Sequence, residues 1–184
     1  MILHHKVNKI FAKFTERMIS LDQLLASRDA RAAFQRELLE AHPSCTLLCL
    51  TVQLPGPEKR NALSLIIGKA GLEAIQDRFS ALIAFSQVRD LETGFEAYYL
   101  VNVDALEAKR LCCQLEESHP LGRLMDLDVM SGPTPVSRED IGLPPRKCLL
   151  CNRPARWCMR SRSHTKEELL FRIEQMVADF SKNL

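Results

Sequence analysis

At 184 residues, with 46% hydrophobic and 26% charged side chains, the chain has the make-up of one ordinary globular domain with a real core. No stretch approaches the length of a membrane span, and no apolar run behind His4, His5 and Lys6 is long enough for a secretory signal. Seven cysteines without such a signal point to a reducing cytoplasm rather than a disulfide framework. The net charge of +2 is unevenly spread. Residues 136–166 carry eight Lys and Arg against Glu139 and Asp140, a local balance of +6 that suits an anionic substrate or an acidic protein partner.

Val7, Ile10, Phe11, Phe14 and Met18 follow helical spacing, with Lys6, Lys9, Lys13 and Arg17 on other faces. Such a helix packs on its own domain, extends loosely, or touches a membrane or partner. Ser20 with Gln23 forms a capping box for a helix from Leu21 to near Ala41, ended by His42-Pro43. Thr46 to Leu54 reads as a buried strand that stops at the turn Pro55-Gly56-Pro57. A helix is expected from Ala62 to about Leu82, weakened by Gly68 and Gly71. Leu82–Val88 and Glu96–Val103 read as strands joined across Asp90–Gly94, and Asp104 caps a helix from Ala105 to Ser118. The final helix has a capping box, Thr165 with Glu168, and one apolar stripe of Leu169, Leu170, Ile173, Met176, Val177 and Phe180. The alternation predicts an α+β fold (mixed α/β): a single domain with a mixed sheet covered by helices, and a Cys-rich C-terminal segment ending in a helix.

The stretch His119-Pro120-Leu121-Gly122-Arg123-Leu124-Met125-Asp126-Leu127-Asp128-Val129 carries the sharpest chemical signal. Strand side chains alternate, so Asp126 and Asp128 share one face and Met125, Leu127 and Val129 the other. Asp is disfavoured in strands, and two acids on one face are suited to holding Mg²⁺ against a polyphosphate. The plainer reading is a half-exposed strand with two solvated acids. His119 has an unperturbed pKa near neutrality and is a candidate base, or else a helix cap. Arg123, Arg138 and Arg146 sit beside turns close to the acids in sequence, where guanidinium groups can clamp phosphate in bidentate fashion. With Trp157 as the one aromatic among Arg153, Arg156, Arg160 and Arg162, the basic segment is poor in the stacking platforms that single-stranded nucleic acid needs. Cys148, Cys151, Cys158 and His164 form a C-x2-C-x6-C-x5-H series, a donor set for tetrahedral Zn²⁺ that would also shape a segment poor in apolar residues. The alternative is that the cysteines merely pack while His164 caps the last helix. Cys45, Cys49, Cys112 and Cys113 sit in strand or helix patterns and read as core or surface residues.

Taken together, His119-Pro120-Leu121-Gly122-Arg123-Leu124 with Asp126-x-Asp128, Ser137-Arg138, Leu143-Pro144-Pro145-Arg146-x-Cys148-Leu149-Leu150-Cys151, Cys158 and His164 resemble one family. It is the holo-acyl-carrier-protein synthase of citrate lyase, the apo-citrate lyase phosphoribosyl-dephospho-CoA transferases. Leu24-Leu25-x-Ser27-Arg28-Asp29-x-Arg31 and Pro55-Gly56-Pro57-x-Lys59 resemble it as well, whereas Met125 stands where an aromatic is expected. The resemblance divides the chain into a variable extension, 1–19, and a transferase domain, 20–184, with a Cys-rich subregion, 144–164.

The resemblance implies a reaction. The phosphoribosyl-dephospho-CoA part of 2′-(5″-triphosphoribosyl)-3′-dephospho-CoA passes to a serine of the citrate lyase acyl carrier (gamma) subunit, and pyrophosphate leaves. In this nucleotidyltransferase chemistry Asp126 and Asp128 would hold Mg²⁺, and His119 or another group would take the serine proton. Gly122, Arg123, Arg138, Arg146 and Lys59 would contact the substrate or neutralise the leaving group. The basic segment could dock the carrier. No nucleic-acid or membrane partner is expected. Two rivals are the same modification of a malonate decarboxylase carrier and a non-catalytic, zinc-stabilised adaptor for RNA or protein, which leaves the acid pair unexplained.

Overall fold

Local capping places most of the helices. In the computed structural model, which describes residues 18–52 and 54–182, the Gln23 N–H donates to Ser20 Oγ at 3.2 Å and the Ser20 N–H to Gln23 Oε1 at 2.9 Å. Helix α1 therefore runs Leu21–Ala41, as its sequence predicts. Strand β1, Thr46–Val52, follows. Asn61 and Ser64 form a second capping box, which starts α2, Ala62–Phe79, and a single 3₁₀ turn, Ser80–Leu82, completes it. Strands β2, Ile83–Leu91, and β3, Gly94–Val101, form a hairpin. Asp104 Oδ1 accepts the N–H groups of Leu106 and Glu107 at the start of α3, Ala105–Ser118. Strand β4 is Met125–Met130. A short helix, α4 at Ala155–Ser161, interrupts the Cys-rich segment and has no signal in the apolar pattern. The Thr165–Glu168 box starts α5, Lys166–Lys182. The helix expected over Val7–Met18 lies, but for Met18, outside the described residues.

The strand order is β2-β3-β1-β4, and every neighbouring pair is antiparallel. The α+β class holds, while the expected mixed sheet is corrected. β1 and β2 run the same way and are joined through α2, but β3 lies between them. β3 and β4 likewise run the same way through α3, with β1 between. Two interleaved split β-α-β units give a β-α-β-β-α-β core in which no parallel pair touches.

Both connecting helices and α5 cover one face. Leu48, Leu50, Ala97, Tyr99, Val101, Met125, Leu127 and Val129 meet Ile67, Ala70, Phe79, Ala108, Cys112, Leu115, Ile173 and Val177 there. Gly68 and Gly71 do not merely weaken α2: they let it approach the Phe95 and Leu50 side chains of the sheet. Among the described residues α1 is the helix that covers the other face, where Leu38 with Phe34 and Leu39 packs on Leu47, Cys49, Tyr98, Leu100 and Met130. No described helix is long and apolar enough to cross a membrane.

Leu127 lies 1% exposed in the centre of the larger core. Leu127→Ala is expected to cost about 3 kcal/mol of unfolding free energy, read as a lower urea midpoint at unchanged m-value.

Candidate active site

The sheet face under α1 changes character along its length. On β1 the side chains run Leu47, Cys49, Thr51; opposite them β3 presents Leu100, Tyr98, Glu96 and β4 presents Met130, Asp128, Asp126. All three strands pass from apolar to polar toward the same end. α1 matches them, since Phe34 and Leu38 seal the apolar end while Ser27 and Arg31 lie over the polar one. Arg31 Nε is 3.8 Å from a carboxylate oxygen of the buried Glu96, which accepts the Tyr98 hydroxyl proton; burial and that acceptor both push the Tyr98 pKa up. Arg89 of β2 stacks over the Phe34 ring, 3.7 Å from its centroid. Gln35 Nε2 donates to Cys49 Sγ at 3.3 Å, while burial drives the Cys49 thiol up to about 12.

Asp126 and Asp128 are half-exposed on this face, while Met125, Leu127 and Val129 are buried on the other. Burial and then the neighbouring Asp126 charge raise the Asp128 pKa, against the pull of Lys109, Arg31 and Arg146. Two like charges held this way form a site that favours a cation.

Arg146 joins the pair to the rest of the molecule. Its Nη1 lies 3.4 Å from Asp126 Oδ1, and its Nη2 donates to the carbonyls of Gly122, at 3.2 Å, and Met125. The same nitrogen lies 3.9 Å from Glu116 Oε1. Glu116, buried on α3, accepts the Leu127 N–H at 3.1 Å and pairs with Arg138 at 3.0 Å; desolvation dominates and raises its pKa despite Arg146. Arg138 is thereby committed to Glu116 and Glu117, bracing the loop after β4 against α3. Arg123 donates to the Lys147 carbonyl. Gly122 meets a steric demand, because a Cβ there would sit 2.5 Å from the Leu115 carbonyl oxygen.

The structure therefore brings together Asp126, Asp128, Arg146 and the Gly122–Arg123 turn. It does not bring His119 to them. His119 ends α3, its Nδ1 accepts the Leu121 N–H at 3.0 Å, and its ring packs on Phe180 of α5, centroids 5.5 Å apart. Burial lowers its pKa, opposed by Glu73 of α2, so it belongs to the side of the sheet opposite the acids. Lys59 lies past the end of β1, with Nζ donating to the Leu54 carbonyl at 2.6 Å. Arg31, Glu96 and Glu116 carry no local sequence signal that marks them as site residues. The register of β1 with β3 places Glu96, and the packing of α1 across β3 places Arg31.

Cys148, Cys151, Cys158 and His164 bring their ligand atoms within 4.8 Å of one another, a cluster that could hold a metal ion. His164 Nε2 is buried with no hydrogen-bond partner. Desolvation opposes ionisation of Cys148, but the N–H groups of Leu150 and Cys151 and the neighbouring thiols outweigh it and lower its pKa; burial and those thiols raise Cys158 to about 11. A two-stranded ribbon frames the cluster, with the Cys148 N–H donating to the Arg153 carbonyl at 2.7 Å and the Ala155 N–H to that of Arg146 at 2.8 Å. The residue that touches Asp126 thus stands two positions before the first ligand.

An acid pair at a sheet end, with guanidinium groups at its margin, defines a site suited to a divalent cation and a phosphate chain, the requirement of a phosphoryl- or nucleotidyl-transferring enzyme. The sequence comparisons make this specific. The family profile described as apo-citrate lyase phosphoribosyl-dephospho-CoA transferase matches residues 19–180. A probable apo-citrate lyase phosphoribosyl-dephospho-CoA transferase of Vibrio cholerae serotype O1 (strain M66-2) is 41% identical over 168 residues, covering 89% of this chain and 94% of its own. The transferase of Escherichia coli O1:K1 / APEC is 36% identical over 165 residues, 88% and 90% of the two chains. A probable transferase of Streptococcus pyogenes serotype M18 is 35% identical over 172 residues, covering 91% and 90%. The chain belongs to the apo-citrate lyase phosphoribosyl-dephospho-CoA transferase family.

Side chains of Arg138 and Glu116 are 15% and 5% exposed, so truncating Arg138 takes the ion-pair partner from Oε2 of a buried carboxylate whose other oxygen keeps the Leu127 N–H and Arg146. Arg138→Ala is expected to destabilise the fold by about 3 kcal/mol, and Glu116→Gln in the same chain to recover part of that loss in a double-mutant cycle of urea unfolding.

Proposed function

We propose that this chain transfers the phosphoribosyl-dephospho-CoA group of triphosphoribosyl-dephospho-CoA to a serine of the citrate lyase acyl carrier subunit, with release of pyrophosphate. The observation that carries the proposal is the placement of Asp126 and Asp128, both half-exposed, on one strand face, with Arg146 in contact with Asp126. In this reaction the serine oxygen forms a bond to the phosphorus next to the ribose, and the bond from that phosphorus to pyrophosphate breaks. The serine proton leaves with the base.

Hard carboxylate oxygens crowded on one face fit Mg²⁺, and Asp126 and Asp128 would hold it. Bound there, the ion supplies positive charge to the attacked phosphate and the leaving pyrophosphate. Arg146 fixes the Asp126 carboxylate and ties it to the Gly122–Met125 backbone, so the acid is pre-oriented before substrate arrives. Arg123 and Lys59 bring further positive charge to the same end of the sheet. Arg138 acts through Glu116 by holding the loop that leads to Arg146. A base role for His119 would require its ring to leave Phe180 and the Leu121 N–H.

The Cys148, Cys151, Cys158 and His164 donors fit structural Zn²⁺: three thiols with one imidazole nitrogen that is buried and otherwise unpartnered. Exposed Arg153, Arg156, Arg160 and Arg162 on and around α4 offer a basic surface for an acidic carrier.

Intact mass of the apo-carrier after incubation with enzyme, donor and Mg²⁺ tests the reaction. The expected outcome is a gain equal to the phosphoribosyl-dephospho-CoA moiety, slowed about 100-fold or more in Asp126→Asn and in Asp128→Asn. Wild-type rates in both variants would contradict the metal assignment, and no gain would contradict the reaction. Elemental analysis is expected to find about one zinc per chain, and none in Cys148→Ser/Cys151→Ser. A zinc-free wild type that stays folded and active would overturn the zinc site.

A further inference from the structure

Beyond the acid pair, the same end of the sheet gathers a second cluster. The chain leaves β1 through Leu54, Pro55, Gly56 and Pro57, and Lys59 follows. Lys59 Cβ lies 3.9 Å from where a Cβ on Gly94 of the β2–β3 hairpin would stand. Ser27 of α1 meets the hairpin as well, its Oγ 2.7 Å from Thr93 Oγ1, and the next residue, Arg28, is near enough for its charge to act on Lys59. From a third direction, Lys166, the first residue of α5, passes directly over Gly56. A Cβ on Gly56 would lie 2.4 Å from Lys166 Cε and 2.9 Å from its Nζ, so the lysine head passes closely over the turn, and Gly56 adopts φ +85°, a backbone conformation that favours glycine.

Lys59 and Lys166 thus meet at one turn, and Arg28 joins them from a third segment through its charge on Lys59. Among the described residues none of the three makes a salt bridge, whereas the adjacent Arg60 is taken by Asp90 at 2.8 Å and by Glu92 at 3.7 Å. Burial, then the charges of Arg28 and Lys166, push the Lys59 ammonium below its ordinary range. An ammonium has three donors, and Lys59 uses one on the Leu54 carbonyl, leaving two to point elsewhere. Unpaired like charges held together cost free energy that a polyanion would offset. The hairpin and the turn flank Thr51 and Glu96, which share a cross-strand row with Asp126, so a phosphate chain reaching from the acid pair would run toward this cluster.

We propose that Arg28, Lys59 and Lys166 form an anion subsite that binds a diphosphate, the pyrophosphate end of the donor and the released product. This assignment of ligand rests on the transferase reading above. Arg28 and Lys166 are both exposed, so their variants test the subsite without emptying the core.

The experiment is calorimetric titration of inorganic pyrophosphate into the full chain, for wild type, Arg28→Gln, Lys166→Gln and the charge control Arg172→Gln on an exposed position of α5, with the carrier-mass assay run on the same preparations. Pyrophosphate affinity is expected to fall about tenfold in each of the first two variants and to stay at the wild-type value in the control. The donor KM is expected to rise in parallel. No binding to the wild type, equal affinity in all four proteins, or an equal loss in Arg172→Gln overturns the subsite. Carrier modified at one rate by every protein leaves the transferase standing and the subsite refuted. Pyrophosphate binding lost in both variants while the wild type modifies no carrier upholds the subsite and refutes the transferase.

Discussion

Everything at the polar end of the sheet depends on the register in which β1 lies between β3 and β4. Thr51 opposite both Glu96 and Asp126, and Cys49 opposite both Tyr98 and Asp128, align three strands whose side chains all turn polar in the same direction. A slip of one residue would drive the aspartates into the large core and expel Leu127 and Val129. The burial of those apolar side chains therefore does two things at once: it stabilises the sheet and it fixes where the acids stand. α1 follows the same gradient, with Phe34 and Leu38 over the apolar rows and Arg31 and Ser27 over the polar ones.

A second constraint acts through buried charge. Glu116 takes the Leu127 N–H, pairs with Arg138 and approaches Arg146, so α3, β4 and the C-terminal segment meet at one carboxylate. A buried carboxylate is costly unless fully partnered, and such partnering favours one arrangement of the chains around it. Arg146 extends the arrangement to Asp126 on one side and, through the ribbon that starts at its own carbonyl, to the Cys/His cluster on the other. Between β4 and α5 the chain sets only Val136 and Leu149 against the large core, and these polar contacts add to that anchoring.

What could be read from the sequence was what short-range rules control. Ser20 with Gln23, Asp104, and Thr165 with Glu168 marked helix starts that the structure reproduces, because caps are settled within four residues. The alternation of Met125, Leu127 and Val129 against Asp126 and Asp128 likewise needs only the strand period. The antiparallel order needed the pairing partners, which no local pattern carries. Glu116 looked like any acid on an amphipathic helix, and nothing in the period of α3 says that it is buried with Arg138. Arg31 and Glu96 lie 65 positions apart in sequence and meet only because α1 packs across β3. The short helix α4 escaped because its one buried residue, Cys158, is shared with the cluster.

The chain belongs to a family of transferases, and the chemistry proposed for its sheet end is a polyphosphate met by carboxylate-held metal on one side and by guanidinium and ammonium groups on the other. The most direct test of that claim needs no substrate. Mn²⁺ serves as a paramagnetic stand-in for Mg²⁺, and its free fraction can be followed by electron paramagnetic resonance as the protein is added. With the Cys/His cluster left intact in both proteins, the account predicts about one Mn²⁺ per chain bound at the acid pair, tightened by pyrophosphate and lost in the Asp126→Asn/Asp128→Asn double variant. Equal Mn²⁺ binding by wild type and double variant would contradict it.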